Sequence, residues 1–237
     1  MQGPWTGSYC GPAALPGDWF ARWNLDPLLL LLLGAGAMIA TRSANRSAAL
    51  GAVAVLAVAF VSPLCSLSVA LFSARAAHHL LIVAVAAPLL ALATPAARAS
   101  GVALPLAGST AILWFWHLPT AYDAALADKV FYWVMQAMLI ASATWFWRAA
   151  LAASASPVER LAGVIGGAVQ MGFLGAILTF APRPLYDSHL TSTLPFGIGP
   201  LADQQLAGLV MWVPGMIPYA IAAALVVRGG WLRMRAA

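Results

Sequence analysis

The chain has 237 residues, is 62% hydrophobic, carries charge on only 8% of its residues and has a mean hydropathy of +0.87. A soluble domain carries about 25% charged residues, so this composition describes an integral membrane protein and excludes a soluble enzyme. The formal net charge of +5 does not indicate a nucleic-acid partner, because the basic residues lie between apolar runs and at the C-terminus, where they set topology.

The first 25 residues lack a basic region followed by an apolar core, so they do not read as a cleavable signal peptide. Trp5, Trp19 and Trp23 suit a segment lying at the membrane interface. Apolar runs punctuated by Pro, Gly, Arg or Asp then predict seven helices, at 26–41, 47–68, 76–94, 102–118, 130–148, 160–180 and 204–227. The fold class expected is an all-α, seven-helix membrane bundle. It forms a single integral membrane domain over 1–237, with an interfacial segment at 1–25, the bundle at 26–227 and a basic tail at 228–237. In the sixth helix Gly163, Gly167, Gly172 and Gly175 permit close helix approach, with packing inside the chain favoured over a dimer face. Gln170, the main polar residue of that helix, suits an interhelical hydrogen bond.

Seven spans put the termini on opposite sides. With the N-terminus outside, Arg42, Arg46, Arg98, Arg148, Arg160, Arg228, Arg233 and Arg235 are cytoplasmic, and Arg22, Arg75, Lys129 and Arg183 are outside. The positive-inside rule favours this orientation. All four histidines then share the outer face: His78 and His79 in the first turn of the third span, His117 at the end of the fourth, and His189 in the loop before the seventh. A single interfacial histidine usually caps a helix or bonds a carbonyl; four at one depth point to a metal. Arg75 lies three and four residues before the pair and favours neutral imidazole, the metal-binding form. The plainer alternative is that Arg75 snorkels to the interface with the histidines packed beside it.

Met135 and Met138 lie on one side of the fifth helix, with Gln136 beside them. Thioether and imidazole together suit Cu(I), although a methionine pair in an apolar helix is most often core packing. Cys10 and Cys65, on the outer side, can pair, bind copper or stay free. No nucleotide-binding glycine pattern, HExxH or nucleophile elbow is present.

Taken in order, WNLDP at Trp23, SPL at Ser62, LFSARAAHHLL at Leu71, APLLAL at Ala87, WFWHLPTAYDAAL at Trp114 and PLADQQLAGLVMWVPG at Pro200 resemble the CtaG family of cytochrome c oxidase assembly proteins. The resemblance runs through nearly the whole chain. It implies a seven-helix protein of the bacterial cytoplasmic membrane that assists maturation of a haem–copper oxidase at its copper centres. Relatives often carry H-x3-H at the start of the third span; here Arg75 takes the first position, His79 matches the second and His78 is extra. Relatives also often carry HxxEH on the fifth span, where this chain has Tyr132, Met135 and Gln136.

The expectation is therefore a non-enzymatic metallochaperone-like factor that holds or passes copper, as Cu(I), near the outer leaflet. His79 and His117 would be its main ligands, His78 and Met135 secondary ones, and Cys65, Met138 and His189 further candidates. Asp203, Gln204, Gln136, Tyr122 and Arg75 would support them. Its partners would be the lipid bilayer, oxidase subunits and periplasmic copper chaperones. A metal-free scaffold for oxidase subunits and a small-solute or copper permease are the alternatives.

Overall fold

The computed structural model describes residues 7–95 and 101–236, without the side chains of Arg233 and Ala236; Trp5 and Arg98 lie outside it. Among the described residues the chain is helical, with no strand. The helices are α1 (Pro27–Ala40), α2 (Arg46–Val61), α3 (Leu64–Ala70), α4 (Phe72–Leu80), α5 (Ala87–Ala93), α6 (Ala103–Phe115), α7 (Pro119–Ala127), α8 (Lys129–Ala150), α9 (Pro157–Phe180), α10 (Pro200–Trp212) and α11 (Met216–Ala236). A π-helical turn, Leu81–Ala86, joins α4 to α5.

Local chemistry accounts for the helix starts. Side chains of Asp26, Asn45, Asp128 and Ser156 accept backbone N–H groups in the first turns of α1, α2, α8 and α9. Pro27, Pro119, Pro157 and Pro200 sit where a missing N–H costs nothing. Ser62–Pro63 breaks the second span into α2 and α3, which meet at 48°.

Four stretches are long and apolar enough to cross a membrane: Phe72–Ala93, Lys129–Ala150, Pro157–Phe180 and Pro200–Leu232. The bent pair α2–α3 makes a fifth if it counts as one span. The two remaining expected spans are α1 and α6, apolar helices of 14 and 13 residues. At about 1.5 Å per residue each is roughly 20 Å long, shorter than a hydrocarbon core of about 30 Å. Length and composition thus support a helical membrane protein with four or five candidate spans.

Several boundaries differ from expectation. The seventh span, expected at 204–227, begins at Pro200, is interrupted after Trp212 and continues as a helix from Met216 to Ala236, through the expected basic tail. The third span begins at Phe72 instead of residue 76, which moves His78 and His79 from the first helical turn into the second. Residues 119–127, expected as a loop, form α7. The N-terminal segment is also more than an interfacial arm. Cys10 is disulfide-bonded to Cys65, Tyr9 stacks on Tyr132 with centroids 5.1 Å apart, and the Tyr9 hydroxyl donates to Asp26 at 2.8 Å. Trp19 and Trp23 remain exposed.

The π-turn has a readable cause. Ala87 N–H bonds to Ile82 O, so Val83 O would look one residue further, to Pro88, which has no N–H. The indole of Trp147 donates to that carbonyl instead, at 2.8 Å. On the other side of the bundle, α9 and α10 cross at Gly175 and Gly208. A Cβ on Gly175 would sit 2.7 Å from Gly208 O, and one on Gly208 would sit 2.5 Å from Gly175 O. Only glycine permits that approach. The glycines of the sixth span thus serve packing within the chain: Gly163 faces Val102, and Gly167 faces Tyr219 and Phe146.

Candidate functional site: a buried histidine pair between four helices

α4 begins inside the protein, where water cannot satisfy its first N–H groups. Asp203, 131 residues away on α10, does so: its carboxylate accepts Phe72 N at 2.6 Å, Ser73 N at 3.3 Å and the Ser73 hydroxyl. A carboxylate at a helix N-terminus also complements the helix dipole. Asp203 therefore anchors the helix that carries the histidines; it does not orient an imidazole directly, as sequence reasoning expected. Gln204 likewise serves the backbone. Its side chain accepts Leu185 N at 2.7 Å and donates to the carbonyls of Leu178 and Arg183, pinning the loop between α9 and α10.

Adjacent residues on a helix diverge by about 100°, and His78 and His79 face different neighbours. His78 meets the edge of Phe60, with centroids 5.1 Å apart. His79 faces His117 at 5.8 Å. All three are buried. The Nδ1 of His117 lies 2.7 Å from Leu113 O; donation there leaves the Nε2 lone pair free, the arrangement a metal-binding imidazole needs. Neither ring nitrogen of His79 has a hydrogen-bond partner.

Beside His79 and His117 is a narrow interstice with no room for a water molecule, lined also by Ala76, Leu80, Val83, Leu113, Met171 and Met211. Neither methionine was singled out in the sequence. They stand on different helices, so no spacing within one element could mark them. Met135 is buried but does not border this interstice. Met138 is half-buried, packed against the core and likewise outside it. Gln136 is buried, with no partner for its amide.

Arg75 does not snorkel. It is 1% exposed, its Nε donates to Ser68 O at 3.2 Å, and its guanidinium carbon lies 5.5 Å from the centre of the Tyr132 ring, within cation–π range. No carboxylate pairs with it: among the described residues the ion pair formed is that of Arg22 with Asp18.

His189 and Cys65 are placed for other work. The 3-10 turn Asp187–His189 brings Nε2 of His189 to 2.7 Å from the Tyr122 hydroxyl, and Nδ1 to 3.4 Å from Ala70 O. With both nitrogens engaged it has no lone pair to offer a metal. Burial first, and then the charge of Arg75, push its pKa down to about 3. Tyr122 accordingly supports His189 and not the His79–His117 pair. Cys65, bonded to Cys10, offers no thiolate.

No group of three or more His, Cys, Asp or Glu side chains among the described residues is placed to hold a metal. Of the expected ligands, the fold brings the His79 ring within 5.8 Å of His117 and 5.7 Å of His78, centroid to centroid; His79 and His117 line the interstice, and His78, Met135, Met138, His189 and Cys65 do not. A second polar feature lies deeper: a cavity of about 20 Å³ bordered by Ser109, Thr110, Ser142 and Gln170, enough for one water.

In comparison with known proteins, residues 32–233 match the family described as Cytochrome c oxidase caa3 assembly factor (Caa3_CtaG). No curated protein and no solved structure matches the chain.

Proposed function

The chain belongs to the family of cytochrome c oxidase caa3 assembly factors, and from that premise we propose that it holds copper at His79 and His117 and passes it to the oxidase during maturation. The observation that carries this reading is the His79–His117 contact itself. Two buried imidazoles face each other at 5.8 Å, one with its tautomer set by a carbonyl and the other without any hydrogen bond. Leaving a buried polar group unpaired costs about 1–3 kcal/mol, a cost that a bound ion would offset. The role is that of a non-enzymatic carrier of copper as cargo, with oxidase subunits and periplasmic copper chaperones as partners.

We place the protein in the bacterial cytoplasmic membrane with seven spans and the N-terminus outside. α1 and α6 serve as the two short spans, which a bilayer accommodates by thinning or by snorkelling of flanking residues. Two separate observations support this side assignment: the distribution of basic residues, and the Cys10–Cys65 disulfide, which belongs to an oxidising compartment. The permease reading is the weaker alternative, since the polar cavity near Gln170 has room for one water and does not border the histidines.

Deletion of the gene should lower oxidase activity and copper per oxidase while subunit synthesis continues. Normal copper loading and normal activity in the deletion strain would remove the assembly role. Normal loading with reduced subunit stability would replace the carrier with a metal-free scaffold. Reporter fusions at Ala237 and near Thr191 test the sidedness, with the C-terminal fusion expected to report the cytoplasm.

A further inference from the structure

We infer that Met171 and Met211 complete the donor set around His79 and His117, and that the resulting two-imidazole, two-thioether site is built for a monovalent soft ion, Cu(I). This rests on the copper reading of the histidine pair and adds to it the sulfur ligands and the charge state.

The first support is convergence. The four side chains come from α4, the turn after α6, α9 and α10, and they border one interstice. α9 and α10 run antiparallel, because Thr179 packs near Gly208 while Gly172 packs near Trp212 and Met216. Met171 lies four residues before Gly175, and Met211 three residues after Gly208. Across an antiparallel crossing these offsets bring both methionines to the same level, one turn from the glycine contact. The same close approach that requires glycine thus holds the two thioethers together. Asp203, on α10, bonds the start of α4, which ties the methionine-bearing pair of helices to the helix of His79.

The donor chemistry selects the ion. No carboxylate or thiolate borders the interstice, and it has no room for water. Hard ions such as calcium and magnesium need oxygen ligands or retained waters, and a zinc site with two histidines would recruit thiolate, carboxylate or water to finish its shell. Imidazole with thioether is the combination suited to Cu(I). Metal–nitrogen bonds of about 2.0 Å to each ring place two imidazole centroids roughly 5–6 Å apart, which agrees with the 5.8 Å between His79 and His117.

Charge points the same way. Arg75 stands one turn before His79 on the same helix, is buried, and has no carboxylate paired with it among the described residues. Coulomb repulsion from a fixed cation is twice as large for a divalent ion as for a monovalent one, and low-dielectric surroundings magnify the difference. Buried methionine by itself is ordinary core filling, and Met135 shows that here: it is as fully buried, yet does not line the interstice.

The test uses the full chain in detergent, labelled with selenomethionine, which leaves the fold intact, and loaded anaerobically with Cu(I). Copper-edge X-ray absorption should show nitrogen and two selenium scatterers. Competition against a chromophoric Cu(I) chelator should show an affinity at least about tenfold lower in Met171→Leu/Met211→Leu, and no change in Met135→Leu. Copper retained with nitrogen or oxygen scatterers alone, together with wild-type affinity in the double leucine variant, would overturn the thioether assignment while leaving the histidine pair standing. A wild-type protein that retains no copper would overturn both. A site that prefers Cu(II) over Cu(I), read by paramagnetic resonance, would overturn the charge-state assignment.

Discussion

The His79–His117 pair and the His189–Tyr122 pair are both almost wholly buried, at 3% and 7% exposure against 2% and 0%, yet their hydrogen bonding is opposite. Each nitrogen of His189 has a partner, whereas His79 has none and His117 spends only one nitrogen. Burial by itself therefore does not separate a structural histidine from a ligand. What differs between the two pairs is satisfaction: a fully paired imidazole is part of the framework, and a buried imidazole with open nitrogens has lost water without receiving anything from the protein in return.

The largest effect expected from this contrast is on metal retention. His79→Ala or His117→Ala should weaken Cu(I) binding by about a hundredfold or more, measured by anaerobic chelator competition, and the double variant should lose little beyond either single one because the two act as a unit. His189→Ala should leave copper affinity unchanged. Equal loss in all three variants would break the contrast.

Next in size is the anchor between the regions. Asp203→Ala removes a charged acceptor from two buried N–H groups and a hydroxyl, so it should destabilise the fold by about 2–3 kcal/mol. Denaturant unfolding in detergent measures this, and Asp203→Asn, which keeps one acceptor oxygen, should lose less. Tyr122→Phe should then cost about 1–2 kcal/mol by leaving Nε2 of His189 unpaired, again with copper affinity intact.

The gentlest perturbation is a pH slope. His189 is held well below its ordinary 6.5, at about 3, so between those values the unfolded chain takes up a proton that the folded chain refuses. Its contribution to stability is complete above pH 6.5 and is lost as the pH falls toward 3, at up to about 1.4 kcal/mol per pH unit. Unfolding midpoints of wild type and His189→Gln across that window should show the shallower dependence in the variant.

How much of this was legible beforehand follows from the range of each interaction. Apolar run lengths and capping residues act within a few positions of one another, so the helical membrane class and most helix positions could be read from the chain. The family motifs were legible for the same reason, as short local strings. The start of α4 at Phe72 was not, because its cap is supplied from 131 residues away by Asp203. A local pattern likewise could not tell that Met135, at one of the family's ligand positions, stays outside the interstice, or that Met171 and Met211 line it.

The sequence by itself thus determined the solvent of this protein, its helices and its family. The tertiary structure decided which buried polar atoms find partners: His189 with Tyr122, Cys65 with Cys10, Asp203 with α4, and His79 with none among the described residues. The physical reason is that periodicity and capping depend on neighbours in the chain, whereas hydrogen-bond satisfaction and ligand convergence depend on how separate helices cross. Here that crossing is set by glycines, by a proline-induced π-turn and by one buried carboxylate.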